Sequence, residues 1–477
     1  MKKKKMILAG LLMMGIGCGS LYVNAFPYDV EVEVRDYEEE NLYMTIADVE
    51  INDECTTEIE KALSAWEQER TENREAAIVQ YKEDAKAEKE AKGEAFYGFV
   101  ISEALGITFS NENVLSFREE KYEYLGDDNM HSYIGGVNFN AKTGEILQLE
   151  DLLEDASGFR TAAVPFIVSY VNEVYKEYGI SVTEEQMDAL WDSDMGWYLE
   201  AGGITAAFDG EIFETPEIQN VEVPLTLADL ETYIKPEYFS VDTTGVYKVR
   251  PNVPIQISVG EAAKTLLIEQ EEMEYNWNYS VSFGTESQKI GEFIYLRNAY
   301  YLQKEDGSQY FLMDFDMASD DYMTYLFEIK EDSLVQTDLI DGGIDKGSIR
   351  VDSVEIQVWL DILGTYGAEK TYTIDENGKF VTEETEYRLR GNVEDRFELV
   401  STVELPFYID GKATPLPAGT GLRMITTDGE TYAVLQVTET GKTGELPFVH
   451  GEGDDYWNLY IGEKNVNECF EILPYVG

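Results

Sequence analysis

His131 and His450 are the only imidazoles in this chain of 477 residues, and that scarcity bounds its chemistry before anything else does. A two-histidine metal site would have to recruit both from distant segments, and no His-x-x-x-His or Cys-x-x-Cys spacing occurs. A Ser-His-Asp or Cys-His enzyme would need one of the same two residues as its base. The sequence therefore predicts no catalytic set, no metal site and no cofactor, and it gives His131 a turn role, hydrogen-bonded to backbone. Carboxylates are too numerous to single out. A glycosidase needs two of them ~5–9 Å apart, one with a raised pKa, and spacing along a chain measures neither. Asp314, Asp316, Asp320 and Asp321 bring together oxygens of the kind calcium prefers. The loop glycine and closing glutamate of a helix-loop-helix site are missing, so a solvated hairpin is expected. Gly441-Lys442-Thr443 invites a phosphate-loop reading, but Gln436 stands where that motif needs its first glycine, and a plain turn is expected.

The start of the chain speaks to address. Lys2 to Lys5 precede an apolar run from Met6 to about Ile16, and the small-residue exit Val23-Asn24-Ala25 follows, the layout of a secretory signal over residues 1–25. Cleavage after Ala25 would leave Phe26 first. Cys18, flanked by Gly17 and Gly19, offers a rival lipidation site, and an uncleaved anchor is the third route. The expected location is extracellular or at the cell surface, with membrane contact only through such an N-terminal anchor. Loss of the four signal lysines takes 36 basic residues to 32 against 94 acidic ones, a formal net charge of −62. That surface repels phosphate backbones, so nucleic acid is excluded as a partner; basic proteins and cations are what it attracts. Beyond the signal only Cys55 and Cys469 remain, and whether they pair stays open.

The elements that must position any site divide into two textures. Val30, Val32 and Val34 alternate with acidic residues as a strand, and Leu42–Ile46 reads as its partner. The capping box Thr57/Glu60 opens a long helix that Gly93 closes, with Ile59, Leu63 and Trp66 on its core face. Strands are predicted at 96–101, 114–117, 137–139, 197–208 and 221–225. Helices are predicted at about 160–178, with a stripe of Val164, Val168, Val171, Val174 and Tyr178, and from a second box, Thr183/Gln186. The fold class is thus an α+β N-terminal module, an antiparallel sheet with helices, followed by an all-β C-terminal region. Expected boundaries are 26–240 for the module, with subdomains 26–110 and 111–240. A β-rich unit follows at 241–396, with a meander duplicated at 316–335 and 361–381. The last unit, 397–477, is a small β-barrel of SH3-like length whose hairpin turns at Asp428-Gly429.

Tyr122, Tyr124, His131 and Tyr133, then Val137, Phe139, Lys142-Thr143-Gly144 and Leu149 to Leu153, followed by Trp197 to Leu199 and Val223 to Pro236, carry a family pattern. Over about residues 30–236 the chain resembles the extracellular, lysozyme-sensing region of anti-sigma-V factors, a module that also stands ahead of the catalytic domain in some peptidoglycan deacetylases. Where that family has Gly-Gly-Ala-His-Gly, this chain reads Asp127-Asp128-Asn129-Met130-His131, keeping only the histidine. The resemblance implies an envelope protein with a ligand-binding module in which His131, Tyr133 and Phe139 meet the ligand.

The leading functional expectation is an exported cell-envelope binding protein without catalytic activity, whose partner is an extracellular protein, lysozyme-like and cationic, or a wall glycan. A carboxylate-dependent hydrolase of wall polysaccharide is one alternative, and a structural component of an exported assembly is another.

Overall fold

The computed structural model describes residues 30–475 except 40, 52–56, 127–128, 214–217, 261, 319–320, 332, 391–392 and 394–395. The signal segment with Cys18 and Ala25, and also Cys55, Asp127, Asp128 and Asp320, lie outside the described residues; Cys469 is a buried free thiol.

Strands β1 (Val30–Glu39) and β2 (Leu42–Ile51) form a hairpin. Helix α1 (Glu58–Lys92) then crosses over, and β3 (Phe99–Ser110) returns parallel to β2. The helix starts where its box predicts: Glu60 donates its N–H to Thr57 Oγ1 at 3.3 Å, and Glu60 Oε2 accepts from the Thr57 N–H at 2.7 Å. Its 35 residues span about 50 Å. β4 (Val114–Tyr124) and β5 (Met130–Asn140) continue antiparallel from β3, far beyond the short strands that the apolar runs alone predict.

Helices α2 (Ala156–Val174) and α3 (Glu184–Ser193) follow. α2 begins before Arg160 because Asp155 caps it, accepting from the Gly158 N–H at 2.9 Å. Its buried stripe is Phe159, Ala163, Ile167 and Val171 with Val164, whereas Val174 and Tyr178 are exposed, so the predicted stripe is rotated toward its N-terminal end. A three-stranded sheet, β6 (Gly196–Glu200), β7 (Gly203–Asp209) and β8 (Asn220–Thr226), packs against α2 and β5. No helix among the described residues is long and apolar enough to cross a membrane.

The second half is nearly all strand, and the two halves share one sheet. β9 (Gly245–Lys248) pairs with the end of β3, Phe109 opposite Tyr247, and on its other side with the later strand Tyr295–Gln303. The strands Gln309–Ala318, Asp321–Lys330 and Ser333–Asp341 complete that sheet, while a separate four-stranded meander covers Ile255–Phe293. The largest apolar core accordingly runs from Phe109 to Ile329, across the expected boundary at 240. A second large sheet joins Gly343–Ile374 to the hairpins at Gly421–Pro447, bridging the expected boundary at 396 in the same way. The expected solvated hairpin at Asp314 and Asp316 is corrected: both side chains are buried, and Asp314 accepts from Asn298 Nδ2 at 3.1 Å beside Arg297. An aspartate taken out of water needs such partners.

Candidate acidic cleft beneath the long helix

α1 touches the sheet through two separate apolar clusters. Ile59 and Leu63 pack with Leu105, Leu115, Phe117 and Phe139 near its start, and Ala85 packs with Met44, Phe96 and Ile101 near its end. Between them the interface is ionic. Arg74, almost fully buried, donates Nη1 to Glu103 Oε2 at 2.9 Å and to the Ala47 carbonyl at 3.3 Å, and pairs through Nη2 with Asp48. Arg70 pairs with Glu67, lies 3.5 Å from Glu119, donates to the same Ala47 carbonyl and sits over the Trp66 ring at 5.0 Å. Lys121 joins Glu123 at 2.6 Å and the Tyr81 hydroxyl at 3.2 Å.

These charges line a cleft of about 230 Å³ whose walls include Arg70, Arg74, Tyr81, Glu103, Glu119 and Tyr133. With Asp48, Glu67 and Glu123 behind them, the carboxylates outnumber the cations. The field shows in the titrating groups. Burial pushes the Glu119 carboxyl above its ordinary range, and Glu103 and Glu67 push it further against the pull of Arg70. Burial likewise raises Glu67, opposed by Arg70 and reinforced by Asp48. Burial works against the Arg74 charge, but Glu103, Asp48 and Glu67 outweigh it and hold that guanidinium ionised.

The three residues implied by family resemblance lie on one face of β5, since side chains two apart share a face. Phe139 is in the core, edge-on to Trp66 with centroids 5.5 Å apart, so it supports the floor and touches no solvent. Tyr133 lines the cleft, half exposed. His131 sits in a strand and not a turn, opposite Glu123, and its Nδ1 lies 3.0 Å from Glu211 Oε1; its partner is a side chain and not the backbone. Glu211 Oε1 also accepts from the Ser132 N–H at 3.1 Å, tying this edge of β5 to the short helical turn after β7.

Sequence reading missed α1's arginines and Gly135. A Cβ at Gly135 would lie 2.4 Å from the Tyr133 hydroxyl, so glycine leaves the space along the strand in which that phenol lies. The signal was present as basic residues, Arg70 and Arg74, spaced i,i+4 on α1.

On the opposite face of β4 a second ionic network fastens the small sheet. Arg118 Nε meets Glu222 Oε1 at 2.8 Å, Arg250 spans Glu222 at 3.2 Å and Glu200 at 2.9 Å, and the Tyr198 hydroxyl donates to Glu222. Burial would raise the Glu222 pKa, but Arg250 and Arg118 overcome it and bring it down to about 2. No space opens there, and the network is an anchor. Among the described residues no group of three or more side chains could hold a metal ion.

No protein-family model and no curated protein matches the sequence. A DUF3298 family member of Bacteroides fragilis of known structure is similar at 15% identity and TM-score 0.33, over 45% of this chain and 95% of its own. A DUF3298 family protein of Pseudomonas aeruginosa is similar at 14% identity and TM-score 0.31, over 45% of this chain and 97% of its own. Both are distant likenesses.

Proposed function

We propose that this is an exported, non-catalytic binding protein of the cell envelope, and that the cleft beneath α1 receives a cationic side chain of a basic protein partner. The carrying observation is the cleft of about 230 Å³, lined by Glu103 and Glu119, which are partly buried beside Arg74 and Arg70, and by Tyr81 and Tyr133 as aromatic walls. A lysine or arginine entering there gains carboxylate partners and ring faces together. The net charge of −58 steers basic proteins toward the surface from a distance. Immobilised protein challenged with a cationic lysozyme at about 0.05 and 0.5 M salt tests this. We expect binding that weakens with salt and falls about tenfold in Glu119→Gln. Absence of binding at both salt levels rejects the proposal.

The raised Glu119 carboxyl favours a second reading, a general acid in a hydrolase of wall polysaccharide. Glu103 and Glu67, its neighbours, are held by arginines, which leaves no free second carboxylate beside it and ranks this reading lower. Turnover of peptidoglycan abolished by Glu119→Gln would establish it.

A further inference from the structure

Trp457 is 82% exposed, an indole left in water at the tip of a C-terminal loop. Its surroundings are ordered by contacts that leave most of the ring in water. Tyr456 stands against it at 80° with centroids 5.7 Å apart, and Tyr456 in turn stacks on His450 at 4.5 Å and 12°. His450 is fixed by two backbone carbonyls, that of Tyr456 3.0 Å from Nδ1 and that of Gly429 3.3 Å from Nε2. The loop closes on Asp455, which accepts from the Asn458 amide and from the Tyr460 hydroxyl at 2.7 Å. The result is an L-shaped aromatic corner with a polar rim of Asp455, Asn458 and Glu430.

The geometry points to this corner as a site for an uncharged pyranose of a glycan chain. The argument is one of shape and charge. A pyranose has an apolar C–H face of about ring size and a hydroxylated edge, which match the open indole face and the amide and carboxylate rim. A protein helix or strand would need a wider apolar patch than one indole and a half-exposed phenol provide. The chain's net charge of −58 disfavours sulfated, phosphorylated or uronic glycans. The rim aspartate is already engaged by Asn458 and Tyr460, so the unmet capacity here is the ring face and not the charge. This site is remote in sequence from the cleft beneath α1 and does not depend on it.

Calorimetric titration of the mature chain with an N-acetylglucosamine tetrasaccharide and a glucose tetrasaccharide, with tetralysine as the cationic control, tests the assignment. The expected result is saturable binding of at least one sugar, unchanged between about 0.05 and 0.5 M salt. Trp457→Ala should weaken it about tenfold or more and Trp457→Tyr should retain part of it, with circular dichroism unaltered because the indole is not packed. Absence of saturation by both sugars at about 10 mM overturns the assignment. Wild-type affinity in Trp457→Ala overturns it too, and so does tetralysine binding that Trp457→Ala abolishes while neither sugar binds, which would make the corner a cation site.

Discussion

Tyr133 and Phe139 stand six positions apart on the same face of β5, yet burial gives them different work. Phe139 is closed into a cluster with Trp66 and Phe117, so Phe139→Ala should cost about 3–5 kcal/mol of stability, seen as a lowered denaturation midpoint. Tyr133→Ala removes a half-exposed wall; we expect near-native stability with a measurable loss of affinity for a cationic partner. The pair thus separates support from contact, and equal effects of both on stability would break the assignment. Gly135 extends the test: in Gly135→Ala the new methyl meets only the far end of Tyr133, so the phenol swings away and affinity falls without unfolding. Glu222 reads out in pH. Its folded pKa, brought down to about 2, lies below the ordinary glutamate value, so its contribution is present above pH ~4.3 and is lost as pH falls toward 2. Acid titration of stability should show a loss of about 2–3 kcal/mol across that window, largely absent in Glu222→Gln, which starts out destabilised.

Among the elements, the two capping boxes were readable, because Thr57/Glu60 and Thr183/Gln186 satisfy backbone N–H groups by local chemistry that needs no tertiary partner. β4 was not. Arg118, Glu119, Glu120 and Lys121 lie in mid-strand although they carry none of the apolar alternation that marks one, since the arginines of α1 cover one face and Glu222 and Asn220 the other. Tertiary ion pairing supplies what side-chain apolarity usually does, and for the same reason the cleft could not be read before the helix was laid over the strand. Asp314 and Asp316 mislead in the same direction, as buried groups, the first of them beside Arg297 of the neighbouring strand. The crossing of β5 with β6 also escapes pattern reading. A Cβ at Gly136 would lie 2.4 Å from the Trp197 carbonyl oxygen and 2.6 Å from the Tyr198 Cβ, atoms that cannot move aside without parting the two sheets. Gly136→Ala should therefore cost about 1–3 kcal/mol, measurable as a shifted thermal midpoint, and should loosen the Tyr198–Glu222–Arg250 anchor.

For the whole molecule, the continuity of the first sheet decides how the cleft is held. β3 carries Glu103 into the cleft and, a few residues on, pairs Phe109 and Ser110 with Tyr247 and Val246 of β9; the Phe109 and Tyr247 rings meet edge-on at 5.0 Å. Residues past 240 therefore brace a strand that builds the site. A chain ending at residue 240 would leave Phe109 uncovered and the edge of β3 unpaired where β9 belongs, a combination that favours aggregation. The expected outcome is that residues 26–240 yield no cooperative unfolding transition and no affinity for a cationic partner. Residues 26–341, which complete the sheet through Ser333–Asp341, should unfold as one unit and retain binding. Calorimetry and binding on the two fragments measure this together. A fully cooperative, binding-competent 26–240 fragment would show that the sheet's continuation past β3 adds nothing to the site.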